Sequence, residues 1–145
     1  MDGAQSNKLA KTLERVADRT HIWGHLEEAS DLYHSALDIH KRRKSGPQEI
    51  LRLLQKLIIT QSQGRAYDHA LRDAIELRRL LEADDPFNSR IFASLVLKIA
   101  GLQENIGNLK GAGESLETAL KKLASVGSMA SEEYLRLRFH SGILL

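Results

Sequence analysis

The chain has 145 residues, 42% hydrophobic and 28% charged, which describes a globular chain long enough to bury a core of its own. Lys and Arg number 21 against 19 Asp and Glu, and a net charge of +2 points to neither nucleic acid nor a lipid surface as partner. The absence of Cys excludes disulfides, thiolate metal sites and cysteine nucleophiles, and suits a reducing compartment. Apolar runs of three or four residues are too short to span a membrane, and Met1–Gln5 shows neither the basic nor the apolar region of a signal peptide. The expected location is cytoplasmic, with the nucleus and organelle import left open.

Two prolines, abundant strong helix formers and no sustained strand alternation predict an all-α chain. Ala10, Leu13, Val16 and Ala17 space one face of a helix over 6–22. Gly24 turns the chain into a helix over 25–43, with Leu26, Ala29, Leu32, Tyr33, Ala36 and Leu37 on its inner face. Its end, His40-Lys41-Arg42-Arg43-Lys44, is a basic last turn that suits the helix dipole better than an import signal or a phosphate patch. Gly46-Pro47 opens a helix over 47–63 carrying Leu51, Leu54, Leu57 and Ile58. Gly64 turns it into 66–83, with Tyr67 and Ala70 inward. Asp84-Asp85-Pro86 then starts 86–106, with Asp85 as the expected N-cap. Gly107 leads into 109–126, Gly127-Ser128 stops it, and a last helix covers 130–143.

These elements repeat. Gly24-His25-Leu26-Glu27-Glu28-Ala29 recurs in outline as Gly107-Asn108-Leu109-Lys110-Gly111-Ala112 at an offset of 83. A middle copy lies about half that offset away, giving three helix pairs of 41–42 residues, the period of a stacked-repeat architecture. Ala29 and Ala36 are small where two antiparallel helices must approach closely.

The pattern Gly24-x-Leu26-x-x-Ala29-x-x-x-Tyr33-x-x-Ala36-Leu37, and its third copy Gly107-x-Leu109-x-x-Ala112-x-x-x-Leu116-x-x-Ala119-Leu120, resembles the tetratricopeptide repeat. The second copy departs from it, with Gly64 one residue early relative to Ala70 and Leu77 in the slot of the second alanine. The period is similar to that of the extended repeats in kinesin light chains. The resemblance implies an α-solenoid, a right-handed superhelix of three helix pairs plus a C-terminal helix. It implies one domain over residues 1–145, with repeats at 7–45, 47–85 and 86–127 and a cap or truncated fourth repeat at 130–143. It also implies a non-catalytic scaffold that needs no cofactor and holds a partner polypeptide on the concave face of the first helices.

Mapped onto this chain, that face offers Lys11, Glu14, Asp18, Arg52, Gln55, Ile59, Leu97 and Glu104 as partner contacts. The slots that grip a chaperone tail's carboxylate in the family hold Glu14, Asp18, Lys56, Ser94 and Lys98 here. Two carboxylates would repel such a ligand, so an apolar or basic segment is the expected partner. The rival readings are a structural spacer, self-association through residues 130–145, and an RNA-binding repeat using Lys41–Lys44.

Other features read as structure. His21 and His25 have metal-ligand spacing, but Gly24 interrupts the helix between them. The glycine-rich stretch 107–113 lacks the strand and the terminal Lys-Ser/Thr of a phosphate loop, and leaves Gly111 and Gly113 unexplained. Glu27-Glu28 and Glu132-Glu133 sit in first turns, where they suit the dipole rather than acid–base catalysis. Trp23 is expected to pack between helices. In the tail, Leu135, Phe139 and Ile143 are expected to face inward and Arg136 and Arg138 outward.

Overall fold

The structure, a computed structural model, describes residues 3–44, 46–84, 86–127 and 131–144, with residues 143 and 144 described through their backbone alone. It contains α1 (Gly3–Ile22), α2 (Leu26–Arg42), α3 (Pro47–Gln63), α4 (Tyr67–Glu82), α5 (Ser89–Asn105), α6 (Leu109–Ser125) and α7 (Glu132–Leu144). No strand occurs among the described residues. Two compact units divide inside α4, one up to Asp73 and one from Ala74. In the first, α1 packs on α2 and α2 on α3; in the second, α5 packs on α6 and α7 packs on both.

One turn is built three times. The amides of His25, Ala66 and Asn108 donate to the carbonyls of Thr20, Gln61 and Gln103, at 3.1, 2.8 and 2.7 Å. Those of Gly24, Arg65 and Gly107 donate three residues back, to His21, Ser62 and Glu104. This is the 6→1 and 5→2 pairing of a Schellman C-cap, which satisfies the last carbonyls of the helix. It needs a left-handed residue, and Gly24 (φ +84°) and Gly107 (φ +83°) supply it. In the second copy the expectation for Gly64 is corrected. Arg65 is the left-handed residue, at φ +62°, because the place is set five residues before Ala70.

Five residues after each left-handed position, Ala29, Ala70 and Ala112 are fully buried. In the first unit Tyr33, Leu53, Leu54 and Leu57 are buried as well, and in the second Leu77, Phe92, Val96, Ile99, Leu116 and Leu123. Val16 shares the repeat position of the buried Ile99 but is exposed, since no described element covers that face of α1.

Several helix ends differ from expectation. The fifth helix begins at Ser89, and Asn88 caps it by accepting from the Ile91 amide at 3.1 Å. Phe87 meets Phe92 with ring centroids 5.1 Å apart, a hydrophobic staple that fixes the entry of the chain. Asp85, Ser128 and the expected start at 130 lie outside the described residues. Asn108 caps α6 on the Gly111 amide, and a Cβ at Gly111 would stand 2.3 Å from Asn108 Nδ2, which accounts for that glycine. Gly113 meets nothing and stays unexplained.

Two packing expectations are corrected. Trp23 is 73% exposed, because it sits at the outward corner of the turn while the crossing is closed over Ala29. In α7, Leu137 is buried, with Ser141 one turn on, while Leu135 and Phe139 face out. The inner face follows Tyr134, Leu137 and Ser141, where Glu133 also reaches Arg90. Ile143 lies outside the described side chains.

Replacing Arg65 by Gly relieves a left-handed penalty of about 1–2 kcal/mol and adds unfolded-state entropy worth up to about 1 kcal/mol. Urea unfolding of Arg65→Gly is therefore expected to show a gain of about 0.5–1 kcal/mol, and Gly107→Ala a loss of about 1 kcal/mol.

Candidate partner-binding face

The first-helix residues of unit 1 are drawn into an ion cluster. Arg52 on α3 forks onto Glu14 of α1, Nε to Oε2 and Nη2 to Oε1, both at 2.9 Å. Lys56, one turn on, donates to Glu14 Oε2 at 2.7 Å and to both oxygens of Asp18 at 3.1 and 3.2 Å. Tyr33 of α2 donates its hydroxyl to Asp18, and Lys56 Nζ lies 5.9 Å from the Tyr33 ring centroid. Beyond this, His21 bonds Gln63 and Arg43 bonds Asn7. Two carboxylates one turn apart meet two cations one turn apart in the next copy, and the four formal charges cancel.

The electrostatics follow. The Arg52 hydrogen bonds pull Glu14 down to about 2; burial opposes them, and Lys56 adds to them. Burial and the hydrogen bond to Asp18 raise Tyr33 well above the ordinary phenol range. Burial works against the charge of Lys56, but its bonds to Glu14 and Asp18 outweigh that and raise it. Burial lowers His40, which packs inside the same unit.

The expected contact residues differ in burial and pairing. Glu14 is buried and holds α1 to α3, bonded to Arg52 and Lys56, and Asp18 is bonded to Lys56 and Tyr33. Lys11 and Gln55 stay exposed, and Ile59 keeps 48% of its surface, which excludes a core role for it. In unit 2, Leu97 is half-buried, and Ser94, Lys98 and Glu104 are exposed. Among the described residues no three His, Asp or Glu converge as metal ligands, and His21 turns to Gln63 rather than to His25. No helix among them is long and apolar enough to cross a membrane. Sequence reasoning missed the buried polar residues His40, Gln61 and Asp73.

Among the described residues three tandem helix pairs and a final helix define an all-α helical-repeat fold of the solenoid class. The comparisons agree. The crystal structure of BtubC (BKLC) from P. vanneervenii matches with a TM-score of 0.67 over 99% of this chain at 18% identity. The chain spans 57% of that protein's length. No family model matches the sequence, and no curated protein matches it.

The cluster sets the acid stability. A carboxyl held at about 2 in the fold and 4.5 when free contributes stability that is complete above pH 4.5 and lost as the pH falls toward 2. With half-exposed Arg52 screening the pair, that amounts to about 2–3 kcal/mol. His40, lowered in the fold, adds a penalty that is absent above its free value of 6.5 and grows below it. Chemical denaturation from pH 8 to 3 is expected to show two successive losses, with Glu14→Gln removing the lower one and His40→Leu the upper one.

Proposed function

We propose that the chain is a non-catalytic interaction module that holds a partner polypeptide against the exposed parts of its first helices. The observation that carries this reading is Ile59, a large apolar side chain left exposed on α3 beside Gln55 and next to a charge-neutral cluster. An apolar anchor on a rigid helix costs little ordering entropy on the module's side. Lys11, Gln55 and Ile59 are the contacts of unit 1, and Leu97 and Glu104 those of α5. Because Glu14 and Asp18 already hold Lys56, the cation in the clamp slot of the second repeat is engaged, which favours an apolar or basic segment over a chaperone tail. Peptides selected from a random library on the immobilised protein are expected to carry an apolar anchor and to lose at least tenfold in affinity to Ile59→Glu, with an unchanged Tm. Peptides that bind Ile59→Glu as tightly would remove this face from the reading.

A second reading has its own observation. Leu135 and Phe139 are exposed on α7, Phe139 by 68%, on the face opposite the buried Leu137. A second copy covering this face would give the self-association reading. Light scattering is then expected to show a concentration-dependent dimer that Leu135→Glu/Phe139→Glu abolishes. A strict monomer in both forms excludes it.

A further inference from the structure

Unit 1 holds a recess of ≈ 390 Å³ built by α2, the end of α3 and the start of α4. Its lining includes Glu27, Asp31, His34, Gln61, His69 and Arg72. Two atoms at this place lack any hydrogen-bond partner: Gln61 Oε1 and Asp73 Oδ2, in residues each only 4% exposed. An unpartnered buried acceptor is costly, and two in one place call for a donor. His34 cannot serve both residues. Its Nε2 lies 3.3 Å from Gln61 Nε2 and 3.6 Å from Asp73 Oδ2. As a bare lone pair it accepts from the amide and leaves the carboxylate unpaired; carrying a proton, it faces the carboxylate and meets the amide's own N–H.

The third repeat shows what is missing. The positions 42 residues on are Gln103 and Ser115, and there Ser115 Oγ donates to Gln103 Oε1 at 2.8 Å. In the second repeat a carboxylate stands where that hydroxyl stood, and the pair is left as two acceptors without a donor.

We propose that this recess takes the guanidinium of an arginine side chain from a partner polypeptide, which donates to Gln61 Oε1 and Asp73 Oδ2 through one planar fork. The chemistry is consistent throughout. Both unpartnered atoms accept; the lining holds the carboxylates of Glu27 and Asp31 as well as Arg72, and Asp73, next to the lining residue His34, adds a third carboxylate; and a fork of N–H groups serves two acceptors at once, which an ammonium does less well. The His34 side chain, 34% exposed, lines the recess and touches both residues, and the bound guanidinium takes its place beside them. The lining shares no residue with the Lys11, Gln55 and Ile59 contacts.

The test is an NMR titration of the whole chain with N-acetyl-argininamide, reading the Gln61 side-chain amide and the His34 ring protons, beside N-acetyl-lysinamide and N-acetyl-citrullinamide. Saturable shifts at both groups are expected with the arginine amide, weaker ones with lysine, and none with citrulline. Asp73→Ser installs the donor that the third repeat uses, so it is expected to keep or raise the Tm while weakening arginine binding at least tenfold. His34→Ala, which removes the cover, is expected to tighten it. No saturable shift at these two groups, citrulline binding as tightly as arginine, lysine binding more tightly than arginine, or undiminished binding by Asp73→Ser would each overturn the proposal.

Discussion

Ala29, Ala70 and Ala112 have no exposed surface, and each follows by five residues a left-handed residue that ends the previous helix. The turn bonds set that interval, with the amide of the next residue reaching back to a carbonyl of the last helical turn. A second helix that starts this way can lie close against the first only if its early inward position is small. The rest of the fold grows from this requirement. Helix pairs bury Leu, Ile and aromatic side chains beyond the alanine, and the residues left over decide what each repeat can do.

In unit 1 those leftover residues are charged and polar, and most of them are matched. Glu14 and Asp18 against Arg52 and Lys56 make a neutral set that ties α1 to α3 through side chains long enough to bridge the gap. A partly buried set of this kind contributes little over an apolar one of equal shape, but losing a partner of Glu14 is costly because that carboxylate stays desolvated. Its value to the repeat is register, since the acid pair fits the basic pair at only one offset. Where the matching is incomplete, at Gln61 and Asp73, the chain carries an unmet demand for a donor, and where an apolar side chain is left out, at Ile59, it carries an anchor.

Helix positions were legible because punctuation is strong here. Gly24, Gly46-Pro47 and Gly107 mark ends that the structure places within a residue or two, and the tandem period follows from them. The fifth helix was harder, since Pro86 drew its start forward while the Asn88 cap and the Phe87–Phe92 contact set it three residues later. Arg65 was hidden because a glycine sat next to it, and only the alanine interval locates the left-handed place. The α7 face was misread because its apolar residues lie on both sides, so spacing alone could not choose between Leu135 and Leu137. For the site, the positions facing the next repeat were legible but their engagement was not. The acid pair at 14 and 18 and the basic pair at 52 and 56 were both visible, yet pairing across copies depends on an offset of about one turn less than the repeat. The Gln61–Asp73 place carries no sequence signal until the repeats are laid side by side.

Amide hydrogen exchange at His25, Ala66 and Asn108 tests the central claim most directly, since these three amides make the long turn bond that defines each helix pair. The account predicts that all three are protected well above unstructured rates, with Ala66 protected although its turn runs through an arginine. Free exchange at Ala66 beside protection at the other two would show that the second copy is not the same construction, and free exchange at all three would contradict the repeated helix pair itself.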